Sequence, residues 1–334
     1  MGDGDRNGVA SQEAARIDRV CVGVKGLCDL PVSDLRVLPL PSGIPIRSAS
    51  LRGGVSLQQD DPPRTPRVLS IAGSDSGGGA GIQADLKAFA ACGVHGMTAI
   101  TAITAQNTVE VTAVHVVPEE IILAQVRAVA SDIGIDAVKV GMLGSAPTAR
   151  VVARALAELP AGTPIVVDPV MVSESGARLL DLDAHEALVE LILPRATVLT
   201  PNLPEARVLV GVEPSAGTAD GDEEAVSLVR ALHALGSANV VLTGGHRREA
   251  TDVFYDGTNL RLLTGARHAD GAAHGSGCTH SSVLAAQLAR GLSPLAAAEM
   301  ARARCADAVA HGLRDLGQGV GPVDVLNLPA RRRD

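Results

Sequence analysis

Residues 271–291, GAAHGSGCTHSSVLAAQLARG, combine a glycine-rich turn, a thiol and the start of a helix. Gly271, Gly275 and Gly277 surround the approach to Cys278, and helix-forming Ala and Leu follow. Glycine allows a sharp turn and lets backbone approach a ligand closely. A helix beginning there leaves its first amides unpaired and carries partial positive charge at that end. The amides of Gly275, Ser276, Gly277 and Cys278 thus read as an anion pocket of the kind that holds phosphates. The same field is expected to lower the Cys278 thiol pKa toward thiolate. The competing reading is a small-residue turn before an ordinary helix, with a buried structural cysteine.

A second glycine run, Gly73-Ser-Asp-Ser-Gly-Gly-Gly-Ala-Gly81, follows an apolar strand (Arg67–Ala72) and precedes a helix with Ile82, Leu86, Phe89 and Ala90 on one face. It is not a Walker A loop, because GxxxxGK[ST] has no match, and no acidic residue completes a dinucleotide fingerprint. Asp85, in the first turn of that helix, either bonds a polar group of a substrate or simply favours the helix dipole. His268, His274, Cys278 and His280 suggest zinc at first sight, but their spacing fits no standard finger, and Cys278 and His280 diverge around a helix.

These residues need a scaffold. Aromatics make up 1% of the 334 residues (Phe89, Phe254, Tyr255), so the core must be Ala, Val, Leu and Ile, which suits helices packed on a parallel sheet. The same scarcity removes stacking platforms for single-stranded nucleic acid, and a net charge of −8 argues against general polyanion binding. The five cysteines form no CxxC pair, which implies free thiols in a reducing compartment. No apolar run approaches a membrane span, so a cytoplasmic protein is expected.

Residues 1–65 balance eight acidic against eight basic residues, are punctuated by proline and show no sustained apolar period, so they read as a poorly ordered extension. From residue 66 to 328 strands and helices alternate. Strands are expected over 97–104, 109–117, 137–141, 164–168, 197–200 and 239–243, and helices from 118, 147, 185, 203, 223, 278 and 294. Residues 211–221 read as a surface connection, Asp256-Gly257 as the turn of a hairpin between 253–255 and 260–263, and 329–334 as a solvated tail. This alternation predicts a three-layer α/β fold, a mostly parallel central sheet with helices on both faces. Ligands of such sheets sit beyond the carboxyl ends of the strands, where the glycine loop, Gln106, Met142, Asp168, Asn202, Gly244 and Cys278 all fall.

Taken together, AGSDSGGGAGIQADLK (72–87), ITAQNT (103–108), KVGML (139–143), VVDPVM (166–171), TPNLPEA (200–206), GGH (244–246), HGSGCT (274–279) and GVGP (319–322) resemble the hydroxymethylpyrimidine/phosphomethylpyrimidine kinases of thiamine biosynthesis, within the ribokinase-like fold. The resemblance runs from about Arg67 to Leu326. It implies ATP- and Mg2+-dependent phosphorylation of 4-amino-5-hydroxymethyl-2-methylpyrimidine, then of its monophosphate, by a homodimer. Gln106 would bind the pyrimidine: its amide offers one acceptor and one donor side to the amino group and adjacent ring nitrogen, a loop-capping role being the alternative. Gly73, Ala80, Thr104, Met142 and Val170 match positions that wall the ring. Asp168 and Glu205 resemble ligands of Mg2+; Asn202, Glu205 and the Thr243-Gly244-Gly245 turn resemble the nucleotide side, although Asn202 also suits a helix cap. Cys278 occupies the place of the aspartate base of sugar kinases sharing this fold. A departure is Thr243, where many members carry a lysine that reaches ATP phosphates. Lys139 reads as a strand residue without that task, and Arg302 as a surface residue or a substitute cation. Pyridoxal kinase of the same fold, and a pyrimidine sensor without turnover, are the alternatives.

Overall fold

The computed structural model describes residues 64–171, 181–212, 222–247, 250–268 and 272–329. The extension expected over 1–65 therefore lies almost wholly outside the described residues, as do most of the 211–221 connection, Gly271 and most of the tail.

Nine strands form one sheet: β1 Arg67–Asp75, β2 His95–Gln106, β3 Val111–Val116, β4 Ala137–Val140, β5 Ile165–Val167, β6 Val198–Leu199, β7 Val240–Leu242, β8 Asp252–Tyr255 and β9 Leu260–Leu263. Their order is β3-β2-β1-β4-β5-β6-β7-β8-β9. The pairs from β2–β1 through β6–β7 are parallel, whereas β3, β8 and β9 join antiparallel at the two edges. The hairpin expected around Asp256-Gly257 is β8–β9; the Asp256 carboxylate accepts from the amides of Thr258 and Asn259, and Gly257 takes φ 89°.

Among the described residues eight α-helices cover the sheet: α1 Gly81–Ala91, α2 Glu119–Asp132, α3 Ala146–Ala157, α4 Leu182–Ala187, α5 Leu203–Leu209, α6 Asp222–Ala234, α7 Ser276–Ala289 and α8 Pro294–Ala310. Alternate strand residues face opposite ways. Leu69, Ile71, Val138, Val140 and Val167 pack under α2 to α6, while Val68, Ala137, Val166, Val198 and Val241 pack under α1, α7 and α8. Covering both faces explains why the parallel strands read as unbroken apolar runs. Among the described residues no helix is long and apolar enough to cross a membrane.

Two differences from the sequence reading bear on the site. β1 does not end at Ala72: it continues through Gly73 to Asp75, with a register shift between Ala72 and Ser74, because Ser74 and Asp75 still pair with Ile103 and Thr104 of β2. The strand order also reverses at β1, which has β2 on one side and β4 on the other, so the ends of β1 and β4 open a crevice at the switch point. Ile71 lies at the centre of this sheet, fully buried. Ile71→Ala is expected to destabilise the chain by about 2–5 kcal/mol, measured by urea denaturation.

Candidate active site

At the carboxyl ends of the parallel strands lies a cleft of about 420 Å³. It gathers Gly73, Ala80, Thr104, Gln106, Met142, Asp168, Val170, Asn202, Glu205, Thr243, Gly245 and Gly275–Cys278. Two sequence candidates stand apart from its lining. Gly244 sits behind the cleft, its amide donating to Asp252 Oδ1 at 2.7 Å. Asp85 is the other, and the substrate contact expected of it is corrected by the structure: it is fully buried, accepting from Ser70 (2.5 Å), Ser282 (2.7 Å) and Lys139 Nζ (2.9 Å).

One arm of the cleft is a flat apolar slot. Gly73 has no side chain because Met142 Cε occupies the space that a Cβ would need. Gln106 ends β2 with its backbone held by Ser76 in both directions, at 2.8 and 2.7 Å, and its amide rests 3.1 Å from Thr104 Oγ1. Gln106 lines the cleft, and its amide oxygen accepts from the Thr104 hydroxyl.

Opposite the slot α7 begins. Gly275 adopts the left-handed φ of 78° at its N-cap, and no side chain caps the helix. A Cβ on Gly275 would collide with the Gly79 carbonyl, so the two glycine loops are in direct contact there. The Ser276 amide turns back to the Ala273 carbonyl at 3.0 Å, which removes it from the expected cradle and leaves the amides of Gly275, Gly277 and Cys278.

The floor carries charge. Lys139, on the strand face that packs under α1 and α7, is fully buried; its ammonium lies 2.9 Å from Asp85 Oδ1 and 3.8 Å from Asp168 Oδ2. Burial opposes the ammonium, but the carboxylates of Asp85 and then Asp168 more than offset this and raise its pKa. Asp168 follows β5 and accepts from Ser281 at 2.9 Å. Burial raises its carboxyl despite Lys139, because Asp85 holds the ammonium more closely. Asn202 is indeed the N-cap of α5, in a reciprocal capping box with Glu205 (both contacts 2.9 Å), and both side chains face the cleft. Burial, then the charge of Asp168, pushes Glu205 up to about 8.

Cys278 corrects a second expectation. Although half-exposed to the cleft by surface area, its sulfur sits deep among charged groups. Burial pushes the thiol up to about 12, against the pull of Lys139 and reinforced by Asp168 and Asp85. Cys278 is therefore a neutral thiol at physiological pH; the helix start does not make it a thiolate. Arg302 is likewise no surface residue: it lines the cleft with its side chain 12% exposed, its Nε 3.6 Å from Asp252 Oδ1. The two buried histidines each face a carboxylate at 3.2 Å, His274 beside Asp75 and His280 beside Asp252. Sequence reasoning missed Asp75 and Asp252 as site residues; their only local signal is a carboxylate at a strand end.

A switch-point cleft with a helix start facing paired buried carboxylates defines a phosphotransferase of the ribokinase-like α/β class. Residues 75–324 match phosphomethylpyrimidine kinase, and the chain belongs to that family. It is 47% identical over 262 residues to the hydroxymethylpyrimidine/phosphomethylpyrimidine kinase of Rhizobium meliloti, covering 78% of this chain and 96% of the relative. Among solved structures it resembles Staphylococcus aureus pyridoxal kinase in complex with AMP-PCP and pyridoxal (TM-score 0.70, 34% identity, 79% of this chain and 94% of that one). It also resembles Clostridium difficile phosphomethylpyrimidine kinase (TM-score 0.62, 37% identity, 71% and 96%).

Glu205 and Asp168 are both raised, so folding favours their protonated forms. The stability that protonated Glu205 contributes is present at low pH and is lost as pH rises from 4.5 to about 8. Thermal melts of the metal-free chain are expected to show that decline, on the order of a few kcal/mol at most, and Glu205→Gln to flatten it.

Proposed function

We propose that the chain transfers the γ-phosphoryl group of ATP to the hydroxymethyl oxygen of 4-amino-5-hydroxymethyl-2-methylpyrimidine, and then to the resulting monophosphate, in thiamine biosynthesis. The observation that carries this reading is that the Gln106 slot and the Gly277–Cys278 amides line one cleft, so a ring held in the slot has its side arm at an anion-binding helix start. In this reading Gln106 meets the amino group and ring nitrogen, with Gly73, Ala80, Thr104, Met142 and Val170 closing on the ring. Asn202, Thr243 and Gly245 border the nucleotide.

The cleft floor fits Mg2+. Lys139 is matched by Asp85, and Asp168 and Glu205, both raised toward protonation without a metal, are the oxygen donors that Mg2+ prefers and would ionise against its charge. When bound, Mg2+ neutralises phosphate charge; Asp168 and Glu205 would hold it.

The bond from phosphorus to the ADP oxygen breaks as the bond to the acceptor oxygen forms. The transition state is loose and the acceptor proton is lost late, to water or a phosphate oxygen, so no strong base has to face the acceptor. A neutral Cys278 suits that demand. It also accepts a neutral hydroxymethyl group and an anionic monophosphate in turn, where a fixed carboxylate would repel the second. Free thiols at Cys92, Cys278 and Cys305 fit a cytoplasmic location, which belongs to the same reading. So does a homodimer, to be tested by sedimentation velocity; Val114 and Val116 on edge strand β3 are half-exposed and apolar.

Likeness to a pyridoxal kinase structure favours pyridoxal as the second acceptor to test. ADP release measured with the pyrimidine, its monophosphate and pyridoxal separates the readings: turnover with both pyrimidines supports the first, turnover with pyridoxal alone replaces it, and binding without turnover means a sensor. In the same assay Cys278→Ser should retain both steps. Cys278→Asp should slow the monophosphate step roughly tenfold or more beyond any effect on the first, as a like charge a few ångströms away requires. Equal losses at both steps would remove the charge-tolerance role of the thiol.

A further inference from the structure

Asp75, at the end of β1, and His274, just before the phosphate cradle, lie 199 positions apart in the chain, yet His274 Nε2 is 3.2 Å from Asp75 Oδ2. Both are buried. Asp75 Oδ1 accepts from the Gly77 amide (2.8 Å), and Oδ2 accepts from the amides of Gly79 (3.0 Å) and Ala80 (2.8 Å). Burial by itself raises this carboxyl, but the bonds from His274, Ala80 and Gly77 outweigh it and hold it below the ordinary carboxylate range. An ionised carboxylate only accepts, so the imidazole proton sits on Nε2 and is donated to Asp75.

This one side chain shapes the loop that carries Ala80 into the ring slot, while the imidazole belongs to the segment that opens the cradle. The backbone of His274 is itself pinned: its amide donates to Gly321 and its carbonyl accepts from Val323 at 3.1 Å. The next residue is Gly275, the left-handed N-cap of α7. A side chain on Gly79 would strike the imidazole ring, and one on Gly275 would strike the Gly79 carbonyl, so no gap separates the two loops. Any shift of His274 relative to Asp75 must therefore move the cradle relative to the slot.

We propose that the Asp75–His274 contact is a positioning latch that keeps the acceptor slot in register with the phosphate cradle, so that the acceptor hydroxyl and not water meets the transferred phosphoryl group. The inference rests on the phosphotransferase reading above, but not on which acceptor is used. The latch acts through the loops and contributes to the attack geometry, where misplacement by about 1 Å costs roughly 10²-fold in rate.

The test uses the full chain and whichever of the aminopyrimidine and pyridoxal the unaltered protein phosphorylates, so failure of the substrate reading shows in the unaltered chain and failure of the latch only in the variants. His274→Ala is expected to lose roughly 10²-fold in kcat with little change in KM, and to release more than one ADP per acceptor phosphorylated as water competes. His274→Gln, whose amide nitrogen can donate from near the Nε2 position, should recover most of kcat and the one-to-one ratio. Asp75→Glu keeps the charge but displaces it, and should uncouple like His274→Ala; it stands in if that variant fails to fold. Unaltered kcat and coupling in His274→Ala and Asp75→Glu, a loss carried wholly by KM, or a Gln variant as impaired as the Ala variant would overturn the proposal.

Discussion

The cleft depends on a single buried ammonium. Removing a lysine head group from water costs several kcal/mol unless oxygens surround it at close range. Lys139 meets this with Asp85, whose carboxylate is in turn held by Ser70 from β1 and Ser282 from α7. Four elements (β1, β4, α1 and α7) therefore converge on one charge and cannot move independently. The unequal sharing matters as much as the pairing. With Asp85 taking the ammonium at 2.9 Å and Asp168 left at 3.8 Å, Asp168 stays under-compensated, and its residual charge helps to push Glu205 up to about 8. The floor is thus poised for an added divalent charge, and burial, reinforced by Asp168 and Asp85, keeps the Cys278 thiol protonated.

Much of this was legible in the sequence where local chemistry decides local structure. Asp256-Gly257 announces its hairpin because Asp can bond the next amides and Gly can take a positive φ. Pro294 marks the first turn of α8, and the glycines before Cys278 mark a helix left without a side-chain cap. Gln106, Met142, Asp168, Asn202 and Cys278 share one cleft, since a parallel sheet presents all its carboxyl ends together, whereas Gly244 sits behind it. The strand 67–72 was drawn too short because Gly and Ser read as loop; pairing with Ile103 and Thr104 overrides that local preference.

Relations between distant residues were not legible. A lysine within the apolar run Ala137–Val140 shows that something must pair with it, but the partner lies 54 positions away on a different element. Asp85 therefore reads from the sequence as a substrate contact or a helix-dipole carboxylate, when the more demanding claim on it comes from Lys139. The same limit governs Cys278: the sequence reveals the helix start that would acidify a thiol, whereas its protonation is decided by burial and by Asp168 and Asp85, which only the fold brings near. His274 and Asp75 belong to this group as well, each unremarkable until the glycine loops meet.

This division between machinery and recognition also bears on how one scaffold can serve different acceptors. On the proposed reading the cradle amides, Lys139, Asp168, Glu205 and Cys278 would meet the phosphoryl group and the hydroxymethyl arm, and a pyridine and a pyrimidine bearing that arm would look alike to them. On the same reading ring identity falls to the slot, where Gln106 supplies the amide and its neighbours are small or apolar. A site that hydrogen-bonds a substrate amino group rejects an analogue lacking it because its own polar atoms are then left unpaired, whereas apolar walls discriminate weakly. Substrate preference in this cleft accordingly concentrates on Gln106 and on what fixes its amide, Thr104 and Ser76, while the transfer chemistry is insensitive to the choice. Changing the acceptor requires altering few residues, none of them on the charged floor, and fold likeness alone therefore does not decide which ring is used.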